Sequence, residues 1–228
     1  MWAATTIDES THPLEGRGWS VVGNLLSQSR SRSRLVPQER VIAFAFMQPE
    51  SPMFEKLSKY GNSWDFRTGE TWDVFFPGYY VSWDKSTEDK SSAQSLGNDF
   101  TQAWYFDRES YHLFVSQVEQ HCKEAGRIWS WSGSPTLLFL RATVGAGNVT
   151  FDWRHYAQLE LHQLFSNASY EAENRLVEQI SKKLETNPED PLVRVYEVIQ
   201  DETATPLTFQ GAFSLTGAVA GIMALFVP

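Results

Sequence analysis

Apolar positions along the chain follow two periods, one typical of strands and one of helices. The continuous apolar run at 40–47 is rich in β-branched and aromatic residues, which predicts a strand buried on both faces of a sheet. From 107 to 125, apolar residues recur at steps of three and four, which predicts a helix. Asp107 or Ser110 is expected to cap this helix, and Gly126 to end it.

The same patterns predict the other elements. We expect a short helix at 53–60, a strand at 72–83 interrupted by Pro77-Gly78, a loop at 84–98, strands at 134–142 and 149–153, and helices at 168–184 and 191–200. Asp190 is expected to cap the last helix. This order predicts an α/β fold: one sandwich-like domain at 39–204, with a central mixed sheet and flanking helices. A flexible N-terminal arm at 1–38 and an apolar C-terminal tail at 205–228 complete the predicted organisation.

The strand entered through Pro135 carries a family resemblance. The segment Ser134-Pro135-Thr136-Leu137-Leu138-Phe139 resembles the thioredoxin segment in which a cis-proline and a threonine open an antiparallel strand, and the element order over 40–185 is similar to that fold. Where a thioredoxin has its Cys-x-x-Cys pair, this chain has Gln48-Pro49-Glu50-Ser51-Pro52. Because dithiol exchange needs two sulfurs, the resemblance implies a redox-inactive, thioredoxin-like fold. The sequence leaves the isomer of the Pro135 bond open.

Net charge and cysteine count exclude several classes of function and of binding site. The net charge of −9 argues against a general nucleic-acid binder, and the Arg-Ser run at 29–34 is more typical of a solvated loop. A single cysteine, Cys122, excludes an internal disulfide framework and a multi-cysteine metal site, and it falls on the apolar stripe of its helix as a small buried residue. We expect no cofactor and no metal. Without a secretory signal at the start of the sequence, we expect a cytoplasmic protein.

The densest polar cluster is made of Asp65, Glu70 and Asp73 together with Arg67. Paired carboxylates can perform acid–base or metal-assisted hydrolysis, and a hairpin between 64–66 and 72–74 would place Asp65 and Asp73 on one face. The favoured alternative is structural, with Arg67 bridging a carboxylate at the rim of the core. This rim is then a candidate partner-binding site, with Arg67 and Asp73 as binding residues. Whether the chain is an enzyme stays open at this point.

A second resemblance involves the same stretch. Its pattern is similar to one found in uncharacterised domains of bacterial conflict and defence proteins, and the matching residues are Phe66, Arg67, Thr68, Gly69, Asp73, Phe75, Phe76, Gly78 and Tyr79. The resemblance covers about fifteen residues and implies no mechanism. It favours a defence setting for the chain.

Two further groups are candidates for binding. Trp129 and Trp131 could line a pocket with Tyr79 and Tyr80, although core packing is the favoured role for most of these rings. The other group is Asp152, His155 and His162, whose imidazoles would share one face if this segment were helical. A zinc site would still lack its remaining ligands in the neighbouring sequence.

The uncharged stretch at 207–228 is long enough to span a bilayer, which takes about 20 apolar residues. Gly217 and Gly221 have the spacing that lets two helices approach closely. Burial in the core or in a homo-oligomer is the favoured interpretation, and membrane contact is the alternative, since so large an apolar area is rarely left in water.

Taken together, these patterns predict a non-catalytic interaction or ligand-sensing module that partners with a protein or with copies of itself, with membrane contact through the tail as the alternative. The competing hypothesis is a hydrolase that uses Asp65, Glu70 and Asp73.

Overall fold

The computed structural model describes residues 38–51, 72–82, 93–99, 102–145, 148–163, 171–186 and 189–203. The strands are β1 Gln38–Phe46, β2 Trp72–Phe75, β3 Tyr79–Ser82, β4 Ala93–Asp99, β5 Gln102–Asp107, β6 Thr136–Gly145 and β7 Asn148–Glu160. The helices are α1 Arg108–Glu124, α2 Glu171–Thr186 and α3 Pro191–Glu202, and a short 3₁₀ turn covers Leu161–Gln163. Within these ranges, no helix has the length and apolar character needed to cross a membrane.

A four-stranded mixed sheet forms the centre of the fold, with the strand order β2-β1-β6-β7. Strand β1 pairs in parallel with β2, and β6 runs antiparallel to both β1 and β7. Phe46 at the end of β1 lies opposite Thr136 at the start of β6. The predicted α/β class with a central mixed sheet and flanking helices is therefore confirmed.

Helices cover both faces of β1. Phe44 packs edge-on against Phe114 of α1, with ring centroids 5.2 Å apart. Phe139 lies opposite the preceding residue of β1, Ala43, and packs against Trp72. The indole Nε1 of Trp72 donates a 2.9 Å hydrogen bond to Ser181 of α2. Because successive residues of a strand point to opposite faces, α1 and α2 lie on opposite sides of the sheet. This arrangement explains why β1 reads as an unbroken apolar run.

A smaller antiparallel sheet, β3-β5-β4, lies beside the first. The expected loop at 84–98 is wrong in its last part, because β4 begins at Ala93 and pairs with β5. The β4 sequence has no apolar alternation, so periodicity could not reveal a strand that forms through backbone pairing, with a register shift between Ser95 and Gly97. The expected break at Pro77-Gly78 is confirmed, since β2 and β3 belong to different sheets.

Gly78 makes this break sterically possible. Its φ is +78°, in the left-handed region that favours glycine, and a β-carbon added there would lie 2.8 Å from the Tyr111 Cβ and 2.9 Å from the Asp107 carbonyl oxygen. The Gly78 carbonyl accepts a 2.8 Å hydrogen bond from the Asp107 backbone N–H. The turn between the sheets is thereby held against the start of α1.

The N-terminal caps of α1 and α3 differ in whether the capping side chain makes hydrogen bonds. Asp107 caps α1, because its Oδ1 accepts hydrogen bonds from the backbone N–H groups of Glu109 and Ser110 at 3.0 and 3.2 Å, as predicted. Asp190 is the N-cap residue of α3, as predicted, but its side chain makes no capping hydrogen bond. Its φ is +48°, and it is its backbone carbonyl, not its carboxylate, that accepts from Val193 and Arg194.

The described ranges contain no cis peptide bond, so the bond preceding Pro135 is trans, unlike the cis bond implied by the thioredoxin resemblance. The helix expected at 53–60 lies outside the described residues, as do the tail at 205–228 and all but the last residue of the predicted arm at 1–38.

Replacing Gly78 with alanine tests the packing of the turn. Gly133 is the matched control, since its φ is +87° but an added β-carbon would meet nothing within 4 Å. We expect Gly133→Ala to cost about 1–2 kcal/mol from backbone strain alone, and Gly78→Ala a further ~1–3 kcal/mol from the clash. Urea unfolding of both variants measures the difference, and equal losses would show that the neighbours of Gly78 move aside freely.

Candidate functional site

Three of the predicted binding aromatics converge where β1 ends. Trp129 packs against Phe46 with ring centroids 5.0 Å apart, and Trp131 packs against Tyr111 at 5.2 Å. Tyr79 donates a 3.1 Å hydrogen bond to the carbonyl oxygen of Met47. We call Phe46, Tyr79, Tyr111, Trp129 and Trp131 the aromatic cluster.

The aromatic cluster is mostly closed to solvent. Tyr79, Tyr111 and Trp129 are all buried, and Trp131 is half-buried at its edge. The Tyr80 side chain and Arg67 lie outside the described residues. The cluster therefore packs the end of the sheet, as the core-packing alternative proposed, and Trp131 is its exposed margin.

Burial also fixes the protonation of the two tyrosines. Loss of solvent raises the pKa of Tyr79 far above its usual value, and Tyr111 and Glu50 add to this rise while Arg108 opposes it. Burial raises the pKa of Tyr111 as well. Within the described ranges, the Tyr111 hydroxyl and the Trp129 Nε1 have no hydrogen-bond partner. Both phenols stay neutral at physiological pH, so neither can serve as a base.

Residues 48–51 follow β1. A turn closes there through a 2.9 Å hydrogen bond from the Ser51 N–H to the Gln48 carbonyl. Glu50 forms an exposed ion pair with Arg108 at the start of α1. Sequence reasoning missed this pair, because residues 58 positions apart in the chain carry no local signal of contact. It also left out Tyr111, which the apolar stripe of the helix does mark as a buried residue.

Asp73 lies apart from the aromatic cluster. It opposes Ile42 in the parallel pair, and Ile42 precedes Met47 by five residues, or roughly 16 Å along a strand. Its Oδ2 is 3.1 Å from the Nε of Arg40, and both residues are buried, although the Arg40 N–H does not point at the oxygen. Asp65, Arg67 and Glu70, and with them the predicted hairpin, lie outside the described residues.

The segment containing Asp152 is a strand, so the helical condition under which His155 and His162 would share a face is not met. It belongs to β7, and a register shift opposite Leu140 and Arg141 leaves 153–155 as a bulge. The bulge turns His155 toward Asp152, with Nδ1 2.8 Å from Oδ2, and Arg141 donates to the same oxygen at 2.9 Å. His162 lies elsewhere, 3.5 Å from Glu160.

The partners of Asp152 favour its charged form. Partial burial would raise the pKa of this carboxyl, but hydrogen bonds from His155, Arg141 and the Arg154 backbone outweigh it and hold the pKa below its usual value. The cluster is therefore a structural ion-pair group at a bulge. Across the ranges described, no three His, Cys, Asp or Glu side chains are placed to hold a metal ion.

Cys122 lies on the buried side of α1. Burial, together with the nearby Glu119, raises the pKa of its thiol to about 12. Because the thiolate is the reactive form, the protonated thiol of Cys122 is unreactive at physiological pH. The interpretation as a small core residue is favoured.

Comparisons with known proteins give no match: no protein-family model, no curated protein and no solved structure is similar to the chain.

Asp73→Asn tests the buried pair. The change leaves the Arg40 charge buried without its counter-ion, so we expect a loss of about 3–5 kcal/mol in the free energy of unfolding. The control is Glu50→Gln, which removes an exposed ion pair and should cost less than about 1 kcal/mol. Denaturant unfolding measures both. A loss for Asp73→Asn as small as that of the control would show that the pair does not hold the sheet.

Asp152→Asn tests the bulge through pH. Because the folded pKa of Asp152 is lowered, its contribution to stability is present above the unfolded pKa of about 3.9 and disappears as the pH falls through the folded value. We expect the variant to be less stable than wild type by on the order of 1 kcal/mol at pH 7, with the difference closing in the acid range. The exposed Asp201→Asn should give almost no difference. A gap that persists unchanged at low pH would contradict the ion-pair role.

Proposed function

We propose that this chain is a non-catalytic interaction or ligand-sensing module, built on a redox-inactive thioredoxin-like fold and acting in the cytoplasm. One observation carries the proposal. The segment Gln48-Pro49-Glu50-Ser51, which follows β1, contains no cysteine and lies beside buried, neutral phenols. The one thiol of the chain, Cys122, is buried in the core. A site for dithiol exchange would need two sulfurs at this place.

The thioredoxin-like assignment draws support from the central sheet. The proline-led strand β6 runs antiparallel to β1 in the middle of the sheet, and helices cover both faces. The trans bond at Pro135 is a departure from that family. It weakens the assignment at the loop that precedes β6 and leaves the sheet order unaffected.

Other titratable groups also favour a non-catalytic role. Asp73 faces Arg40, Asp152 is shared by Arg141 and His155, and each lies in a structural pair. The hydrolase alternative requires Asp73 to reach a substrate, and no observation favours it, because this carboxylate is buried in the sheet. The alternative therefore depends on Asp65 and Glu70 alone.

The defence setting is part of the proposal and rests on the pattern around Asp73. In the described ranges, its members Asp73, Phe75, Phe76, Gly78 and Tyr79 are buried. A buried pattern is more typical of packing than of a ligand surface. The interaction function is therefore assigned to other surfaces and to the tail, where Gly217 and Gly221 supply a close-approach motif for self-association, with membrane contact as the alternative.

The solution mass of the full chain and of a version ending at Ala204, measured by light scattering without detergent, tests the role of the tail. We expect the full chain to form oligomers and the shortened chain to lose mass to that of a monomer, because the apolar tail is then absent. A second variant keeps the tail but changes both Gly217 and Gly221 to leucine, which tests the close-approach motif by itself. We expect this variant to lose self-association as well. A monodisperse full-length monomer would contradict self-association through the tail.

A further inference from the structure

We draw no further inference here: the strongest candidate, the exposed side chain of Ile128 on the loop between α1 and β6, carries none because nothing in the structure shows what covers it.

Discussion

The structure depends on the complete enclosure of β1. This strand has a hydrogen-bonded neighbour on each side and a helix layer on each face, and residues 41–47 are at most 1% exposed. Burial on this scale is the main favourable term in folding, and it also sets the conditions for every polar group nearby. Arg40, at the edge of the enclosed run, is buried with a charge and faces Asp73 on β2. Removing either member would leave the other charge buried without this counter-ion.

The same enclosure explains why the tyrosines of the aromatic cluster stay protonated. Its phenols lie against the end of β1, where loss of solvent disfavours the charged form. Catalysis by a tyrosine or a thiol would require a lowered pKa, and these pKa values are shifted the opposite way. The buried phenols and the buried thiol of Cys122 are therefore in their neutral forms at physiological pH.

Polar contacts hold the second helix layer together. Glu202, in the last turn of α3, accepts from Arg175 and Gln179 of α2. A carboxylate at this end of a helix is disfavoured by the dipole, so the two donors offset that cost. One turn earlier, burial would raise the pKa of Glu197, but Lys183 and Arg194 lower it overall. These contacts hold α2 and α3 against each other.

The sequence by itself determined the elements whose signals are local. The apolar run of β1, the stripe and cap of α1 and the break at Pro77-Gly78 all follow from side-chain period and backbone freedom, which neighbouring residues set. Only the tertiary structure decided the features that join distant residues. Strand β4 forms through backbone pairing with β5. Asp73 is paired because β1 places Arg40 beside it. His155 contacts Asp152 because a bulge in β7 turns its side chain toward the carboxylate. Such contacts depend on the path of the whole chain, so no window of sequence contains them.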